Sequence, residues 1–504
     1  MRKLIAAAAA ALAWLNVAPA SAAGLYFTDR GVRPMGRAGA FVAGADDLGA
    51  IYYNPAGLVD AGSQFLLDAS WLRFTGTFQR QVRVQGSDPN SGEPVGGSFV
   101  QTYEAVKGTS PVLPIPTLAG SYAIRPDLVL AAGIYAPYSA ITSYPEKLPN
   151  GQPSPQRYSL LTLDGSALAI GGIWLAYRPI KQLQIGAGPT VLAGTFQSEV
   201  YFSACVPDRF LCAPEQPDYD TKGRLKVQNI LAPSATFGAM VTPIDQLRLG
   251  ASFQLGYSVD ADSKLQTRLP SAAVFDKAYI EGDEAGVRFK LPWVARVGVE
   301  VRPAPTTRIE ATFVFEKWSV HDQISVAPKN VSLRDVALFP PEYRVGSLTL
   351  DRKFQDAWSA RLGGEQTIKF AKYRVDLRAG LAYEKSAVPP AYLSVLTLDM
   401  NKVVVGLGGG LHIGRWRFDG TVALLFPANV QVSPEEARLY KVNPVRANKP
   451  AEDIPINAGK YEVSALLLGI GLRYQFGALD GPSEPSPPPP APRPADRPEK
   501  KTEE

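Results

Sequence analysis

The feature that most restricts this chain is a period of two in its apolar residues. In residues 461–476, Leu466, Leu468, Ile470, Leu472, Tyr474 and Phe476 fall on one face. Ala465, Leu467, Gly469, Gly471, Arg473 and Gln475 fall on the other. Successive side chains of an extended strand point to opposite sides, so this segment reads as a strand with one oily and one small-or-polar face. The rule recurs upstream. Val403, Val405, Leu407, Leu411 and Ile413 oppose Lys402, Gly406, Gly408, Gly410 and His412. Trp416, Phe418, Val422, Leu424 and Phe426 oppose Arg415, Arg417, Asp419 and Thr421. A soluble sandwich also alternates, but it must hide its oily faces under a second layer, and no helical period supplies one. Past the N-terminus no run reaches the roughly 18 apolar residues of a spanning helix.

Connection lengths add a second constraint. Arg125-Pro126-Asp127, Arg178-Pro179-Ile180, Thr242-Pro243-Ile244-Asp245 and Arg302-Pro303-Ala304-Pro305 are tight proline turns, and Ala371-Lys372 and Gly414-Arg415 are shorter still. Long polar stretches at 85–111, 142–156, 203–222, 321–353 and 428–459 lie between them. Short turns on one rim and long loops on the other are the pattern of outer-membrane barrels. Tyr135, Tyr138, Trp174, Tyr177, Trp293, Trp318, Trp358, Tyr373, Trp416 and Tyr474 sit near strand ends, where interfacial girdles form. The expected fold is all-β: a transmembrane antiparallel β-barrel of about fourteen strands over residues 63–476. Side chains of the wall cannot fill so wide a lumen. Residues 23–62 are therefore expected to form a small N-terminal hatch inside it. An even strand number places both termini on the short-turn, periplasmic side.

The ends of the chain fix the compartment. Arg2 and Lys3 precede an apolar stretch at 4–18 and an Ala20-Ser21-Ala22 cleavage pattern, so residues 1–22 read as a secretory signal peptide. The expected location is the outer membrane of a Gram-negative bacterium, in contact with its lipid and lipopolysaccharide. The net charge of +5 becomes 5 − 2 = +3 without Arg2 and Lys3, which gives no footprint for nucleic acid. Cys205 and Cys212 are the two cysteines, and their spacing in an exported chain predicts one loop disulfide. With only His321 and His412 beside them, no metal site and no cofactor are expected. Residues 477–504 turn abruptly proline-rich and then charged, the composition of a disordered tail reaching toward periplasmic partners or serving as a bare spacer.

The run from Gly36 through Arg37, Asp46-Asp47 and Asn54-Pro55-Ala56 to Leu58 resembles the N-terminal hatch of the FadL/TodX-type outer-membrane transporters of long-chain fatty acids and hydrophobic compounds. Asp356-Ala357-Trp358-Ser359, Arg361-Leu362-Gly363, residues 385–405 and the final strand extend the resemblance over nearly all of the mature chain. The resemblance implies a fourteen-stranded barrel with a plug, passive uptake of a fatty acid or an aromatic hydrocarbon, sideways release through the wall, and no energy coupling. It also implies a chain that is not an enzyme and is expected to be monomeric. Phe476 is followed by 28 further residues, whereas the family's barrels end at their aromatic terminus.

Individual residues carry alternatives. Asn54 is expected to hydrogen-bond a wall strand whose own ladder is broken, or else to sit in a plain turn. Pro137 marks either a strand end or a kink bounding a lateral opening. Arg296, Glu300, Arg361, Glu365, Arg374, Asp376, Arg378, Arg417, Asp419 and Arg473 are expected to face inward. There they pair with one another and the hatch, or one or two basic ones meet a ligand carboxylate. The glycines at 406 and 408–410 precede no helix, so they read as small lumen-facing residues and not as a phosphate loop. Residues 88–93 carry part of a calcium ligand set. Two other functions stand beside uptake: an adhesive barrel acting through its long loops, and an outer-membrane hydrolase built on His321.

Overall fold

The computed structural model describes residues 30–87, 94–138, 142–203, 215–337, 340–442 and 454–476. The signal peptide, both cysteines, residues 88–93 and the tail lie outside them. Fourteen antiparallel strands close one ring. They are β1 (Gln64–Ser87), β2 (Pro114–Arg125), β3 (Leu128–Tyr138), β4 (Ala167–Ile180) and β5 (Leu183–Ser203). Next come β6 (Asp220–Ile244), β7 (Leu247–Gln254, continuing as Tyr257–Arg268), β8 (Glu284–Leu291, continuing as Val294–Ala304) and β9 (Thr307–Glu316). The last are β10 (Ala357–Lys369), β11 (Arg374–Glu384), β12 (Lys402–Ile413), β13 (Trp416–Pro427) and β14 (Gly459–Gln475). Each pairs with the next, and β14 returns to β1 in unbroken register from Gln64↔Gln475 to Arg80↔Gly459. The expected strand number and the tight turns hold.

The alternation becomes an inside and an outside. Along β14, Leu468 and Ile470 are exposed while Ala465, Leu467 and Arg473 are buried. Along β11, Leu377 and Leu381 face out while Asp376 and Arg378 face in. Two aromatic bands bound the apolar belt. Trp416–Tyr474 (4.5 Å) and Phe370–Tyr373 (4.7 Å) lie at the short-turn rim. Phe253, Trp293 and Phe315 follow one another at 5.4 Å near the other rim. Trp174, Tyr135 and Trp318 do not belong to these bands. All three are buried inside, and the Trp174 indole N–H donates to Thr236 Oγ1 at 2.7 Å.

Structure also appears where loops were expected. Pro94–Thr102 pairs with the upper part of β1. Gln323–Lys329 pairs with both β8 and Leu348–Asp351. A small sheet of Tyr279–Glu281, Ser332–Arg334 and Glu342–Arg344 lies beside them. These strands are three to nine residues long, so an apolar alternation such as Ile324 and Val326, or Leu348 and Leu350, spans too few positions to stand out in the sequence.

Residues 30–62 pack inside the ring. They contain three four-residue helices, α1 (Val32–Met35), α2 (Ala50–Tyr53) and α3 (Leu58–Ala61), and a 3-10 turn at Pro55–Gly57. Helices this short have no stability of their own, so the wall must hold them. α1 touches β1, β12, β13 and β14, while the 3-10 turn touches β4, β5 and β6 on another side. Glycines in the wall make the room. A Cβ on Gly406 would land on the Met35 carbonyl, one on Gly380 on the Arg37 backbone, and one on Gly186 on Pro55.

Candidate functional site: a charged lumen below an apolar cavity

The segment is tied to the wall through charge. Arg33 binds Glu365 of β10 with two hydrogen bonds, 2.9 Å from Nε and 2.7 Å from Nη2, and also reaches Asp46 and Asp47. Arg37 reaches Glu310 at 3.1 Å and Glu300 at 3.3 Å, with all three side chains fully buried. Glu310 also accepts from the backbone amides of Val42 (2.6 Å), Ala43 (2.9 Å) and Gly44 (2.9 Å). Asp46 pairs with Arg308 at 2.6 Å, and Asp47 with Arg473. Deeper in the wall, Arg378 holds Glu365, Asp376 and Asp419 together at 2.6–3.0 Å. Charged hydrogen bonds of this kind are short and strong, and breaking one buried partner away costs roughly 3–5 kcal/mol.

Asn54 anchors the far side. Its amide donates to Val42 O (2.9 Å) and to Ala239 O of β6 (3.1 Å), and its Oδ1 accepts from the Ala56 amide (3.2 Å). At the position Asn54 meets, the ladder is intact: Ala239 is paired with β5 and β7 on both sides, and β6 loses its register with β5 nearer its start, opposite Gly194 and Phe196. The carbonyl simply spares its second lone pair. Another irregularity lies in β3. Between Tyr135↔Ile170 and Tyr138↔Leu168, β3 carries two residues against one of β4, a β-bulge at Pro137. Proline has no ladder donor to give, and the Pro137 carbonyl is taken by the Arg30 guanidinium.

On the long-loop side lies a cavity of about 420 Å³, within the range of small-molecule sites. Phe196, Leu225, Val287, Phe289 and Leu291 form much of its wall, and Leu168 borders it opposite the bulge. His321 stands in this wall between Phe289, Trp318 and Phe354, with ring centroids 5.0–6.1 Å away. Its Nδ1 lies 2.7 Å from the Lys290 carbonyl, which can only accept, so Nδ1 carries the proton. Burial, with the nearby Arg352 charge adding to it, pushes the imidazole down to about 4, so the ring is neutral at neutral pH. No serine or carboxylate among the described residues bonds this ring. Arg352 lines the same cavity. Burial pushes its guanidinium down to about 10, which still leaves it cationic.

The sequence model of the outer-membrane transport proteins (OMPP1/FadL/TodX) matches residues 13–476. The chain belongs to this family. The fold of this OMPP1/FadL/TodX protein is similar to a Pseudomonas aeruginosa FadL homologue at a TM-score of 0.66 and 14% identity, over 90% of this chain and 100% of that one. It is also similar to the Pseudomonas putida toluene transporter TodX, at 0.58 and 14% over the same shares. The Ralstonia pickettii toluene transporter TbuX follows at 0.50 and 14%, over 85% and 94%. None of the curated proteins compared matches in sequence.

In this family member, Gly36, Arg37, Asp46, Asp47, Asn54, Pro55 and Ala56 come together inside the ring. Gly36 lies against Gly408 of β12, where an added Cβ would stand 3.1 Å from the Gly408 Cα. The inward charges pair with each other and with the segment, with one exception. Arg374 is exposed at the short-turn rim, where its side chain meets His412 at 3.3 Å. Sequence reading missed Arg352, and no pattern pointed to it, because it follows a four-residue strand inside a stretch read as loop.

Proposed function

We propose that this chain is a passive outer-membrane channel for hydrophobic small molecules, with long-chain fatty acids the expected cargo, both termini in the periplasm, and residues 30–62 as a fixed plug. The ligand waits in the apolar cavity and leaves sideways at the Pro137 bulge. One juxtaposition carries this reading: an apolar cavity stands above a lumen crossed by buried ion pairs, and Leu168 links that cavity to the bulge. A hydrophobic ligand gains about 0.8 kcal/mol per buried methylene, which a polar lumen would forfeit and a lipid exit retains. At the bulge the wall already lacks ladder bonds, so opening there breaks fewer than in an intact stretch of the ladder.

Deleting Ala136 removes the extra residue and straightens β3. Cells expressing that variant should assemble it at wild-type surface levels yet lose uptake of radiolabelled oleate. Undiminished uptake would remove the bulge from the route. A wild-type protein with a steady ion conductance through its centre would remove the plug.

A further inference from the structure

The rim of short turns carries its charge unevenly. Around most of the ring each turn arginine has a carboxylate: Arg125 holds Asp127 at 3.0 Å, Arg178 holds Asp60, and Arg302 holds Glu300 at 2.9 Å. The exposed Lys181 has Asp245 on the next turn. Two neighbouring turns differ. The one between β10 and β11 presents Lys369, Lys372 and Arg374, and the one between β12 and β13 presents Arg415. All four are exposed, no acidic residue stands on either turn, and none of the four forms an ion pair among the described residues. Lys369 and Arg374 are even opposite each other in the ladder, a placement that like charges disfavour. Arg374 is also held in position. His412 Nε2 lies 2.7 Å from an Asp376 oxygen, which only accepts, so Nε2 carries the proton and Nδ1 accepts from the Arg374 guanidinium at 3.3 Å. Four cations kept together without a counter-charge gain nothing from one another, so the charge that matches them comes from outside the chain.

The same two turns carry part of the aromatic band. Phe370, Tyr373 and Trp416 are exposed on the lipid side, with Phe370 stacked on Tyr373 and Trp416 against Tyr474. Aromatic side chains of such bands lie at headgroup level, so cations one or two residues away stand in the layer of lipid phosphates. Lys372 and Arg415 occupy the hairpin tips, from which a long side chain can turn to the lipid side. Lys369 and Arg374 share the parity of lumen-facing residues. They add their charge to the same patch from strands about 5 Å apart, well inside a Debye length.

We propose that these two turns form a binding site for an anionic phospholipid, its phosphate between Lys372 and Arg415 and its chains along the wall over Phe370 and Trp416. A guanidinium and an ammonium are the groups that hold phosphate, and a zwitterionic headgroup brings a cation that the patch repels. The orientation proposed above makes this the leaflet that faces the periplasm, but the binding itself does not depend on that orientation or on any cargo.

The test is native mass spectrometry of the full mature chain in a neutral detergent, loaded with equal amounts of phosphatidylglycerol and phosphatidylcholine of identical acyl chains. The wild type should retain phosphatidylglycerol roughly tenfold over phosphatidylcholine, the effect of one or two cations beside a lipid charge. Lys369→Gln, Lys372→Gln, Arg374→Gln and Arg415→Gln together should bring the two lipids near parity, and Lys372→Gln with Arg415→Gln should account for most of that loss. The same charge removed at the other rim, by Lys264→Gln, Arg288→Gln, Lys290→Gln and Lys329→Gln, should leave the preference in place. Migration of unheated samples in detergent gels reports whether each barrel has closed. If the first fourfold variant has not, the pair at the tips decides, and if neither has, the wild-type comparison decides alone. Equal retention of the two lipids, an undiminished preference in a folded tip or fourfold variant, or an equal loss in the control at the other rim would overturn the site. So would displacement of the lipid by millimolar inorganic phosphate, the mark of a site for any small anion. A preference that rises when residues 477–504 are removed would overturn it too, because the turns would then serve the chain's own tail, whose first charged residues are Asp480 and Glu484. The readout uses no cargo, so its failure leaves the channel untouched, and failed oleate uptake leaves the lipid site untouched.

Discussion

Replacing Glu310 with alanine strikes the point where segment and wall are joined most densely. One carboxylate accepts from three successive backbone amides, Val42, Ala43 and Gly44, from Thr312 Oγ1 at 2.9 Å, and from Arg37. The variant strands those amides in a site where nothing replaces them, and leaves Arg37 with Glu300 at 3.3 Å. Removing one partner of a buried charged network costs roughly 3–5 kcal/mol. Because other ties remain, the loss falls on local opening of residues 41–46 and not on the barrel. At about 1.4 kcal/mol per tenfold, local opening should become roughly a hundredfold to a few thousandfold more frequent. Hydrogen exchange followed by mass spectrometry reads this directly at the amides of Val42, Ala43 and Gly44. Glu310→Gln keeps one oxygen and should fall between. Exchange in Glu310→Ala as slow as in the wild type would refute the idea that this carboxylate holds the segment.

Three further outcomes follow from the geometry. Gly380→Ala places a methyl on the Arg37 backbone and should lower the yield of folded barrel, while Gly420→Ala, which meets nothing within 4 Å, should not; heat-modified gel mobility separates the two. Asn54→Ala removes two donated bonds and should cost about 1–3 kcal/mol in the urea unfolding of the segment, with Asn54→Asp worse because it sets a carboxylate against two carbonyls. His321 has a folded value of about 4 against an ordinary 6.5, so the unfolded form binds the proton more readily. Stability is full above about 6.5 and declines as pH falls toward 4, by about 3 kcal/mol in all. Ring titration by NMR checks this against the one other histidine, His412, and His321→Phe should flatten the decline.

The barrel was legible because its wall has two solvents, and a strand between lipid and a polar interior must alternate. The same rule would have placed Trp174 correctly, since its neighbours Ile173 and Leu175 are exposed and parity turns it inward. Position near a strand end was the weaker signal. Parity also told which charges face inward, but not which partner each takes, because Arg33 and Glu365 stand 332 residues apart. Arg374 fails the rule because it is the first residue of its strand, where inside and outside are both polar. Asn54 was found through its neighbours in sequence, yet the carbonyl it meets belongs to an intact ladder. Arg352 left no trace, because nothing in a loop-like stretch of sequence marks which basic residue the folded wall buries.

The seam between β1 and β14 has a consequence for how the molecule is made. The first and last strands of the wall are each other's neighbours, so no cylinder exists until the chain is finished. Arg473, on that final strand, also grips Asp47, 426 residues earlier. Closing the seam and seating the beginning of the protein are therefore coupled: the strand that completes the wall also supplies one of the charges that hold the interior segment.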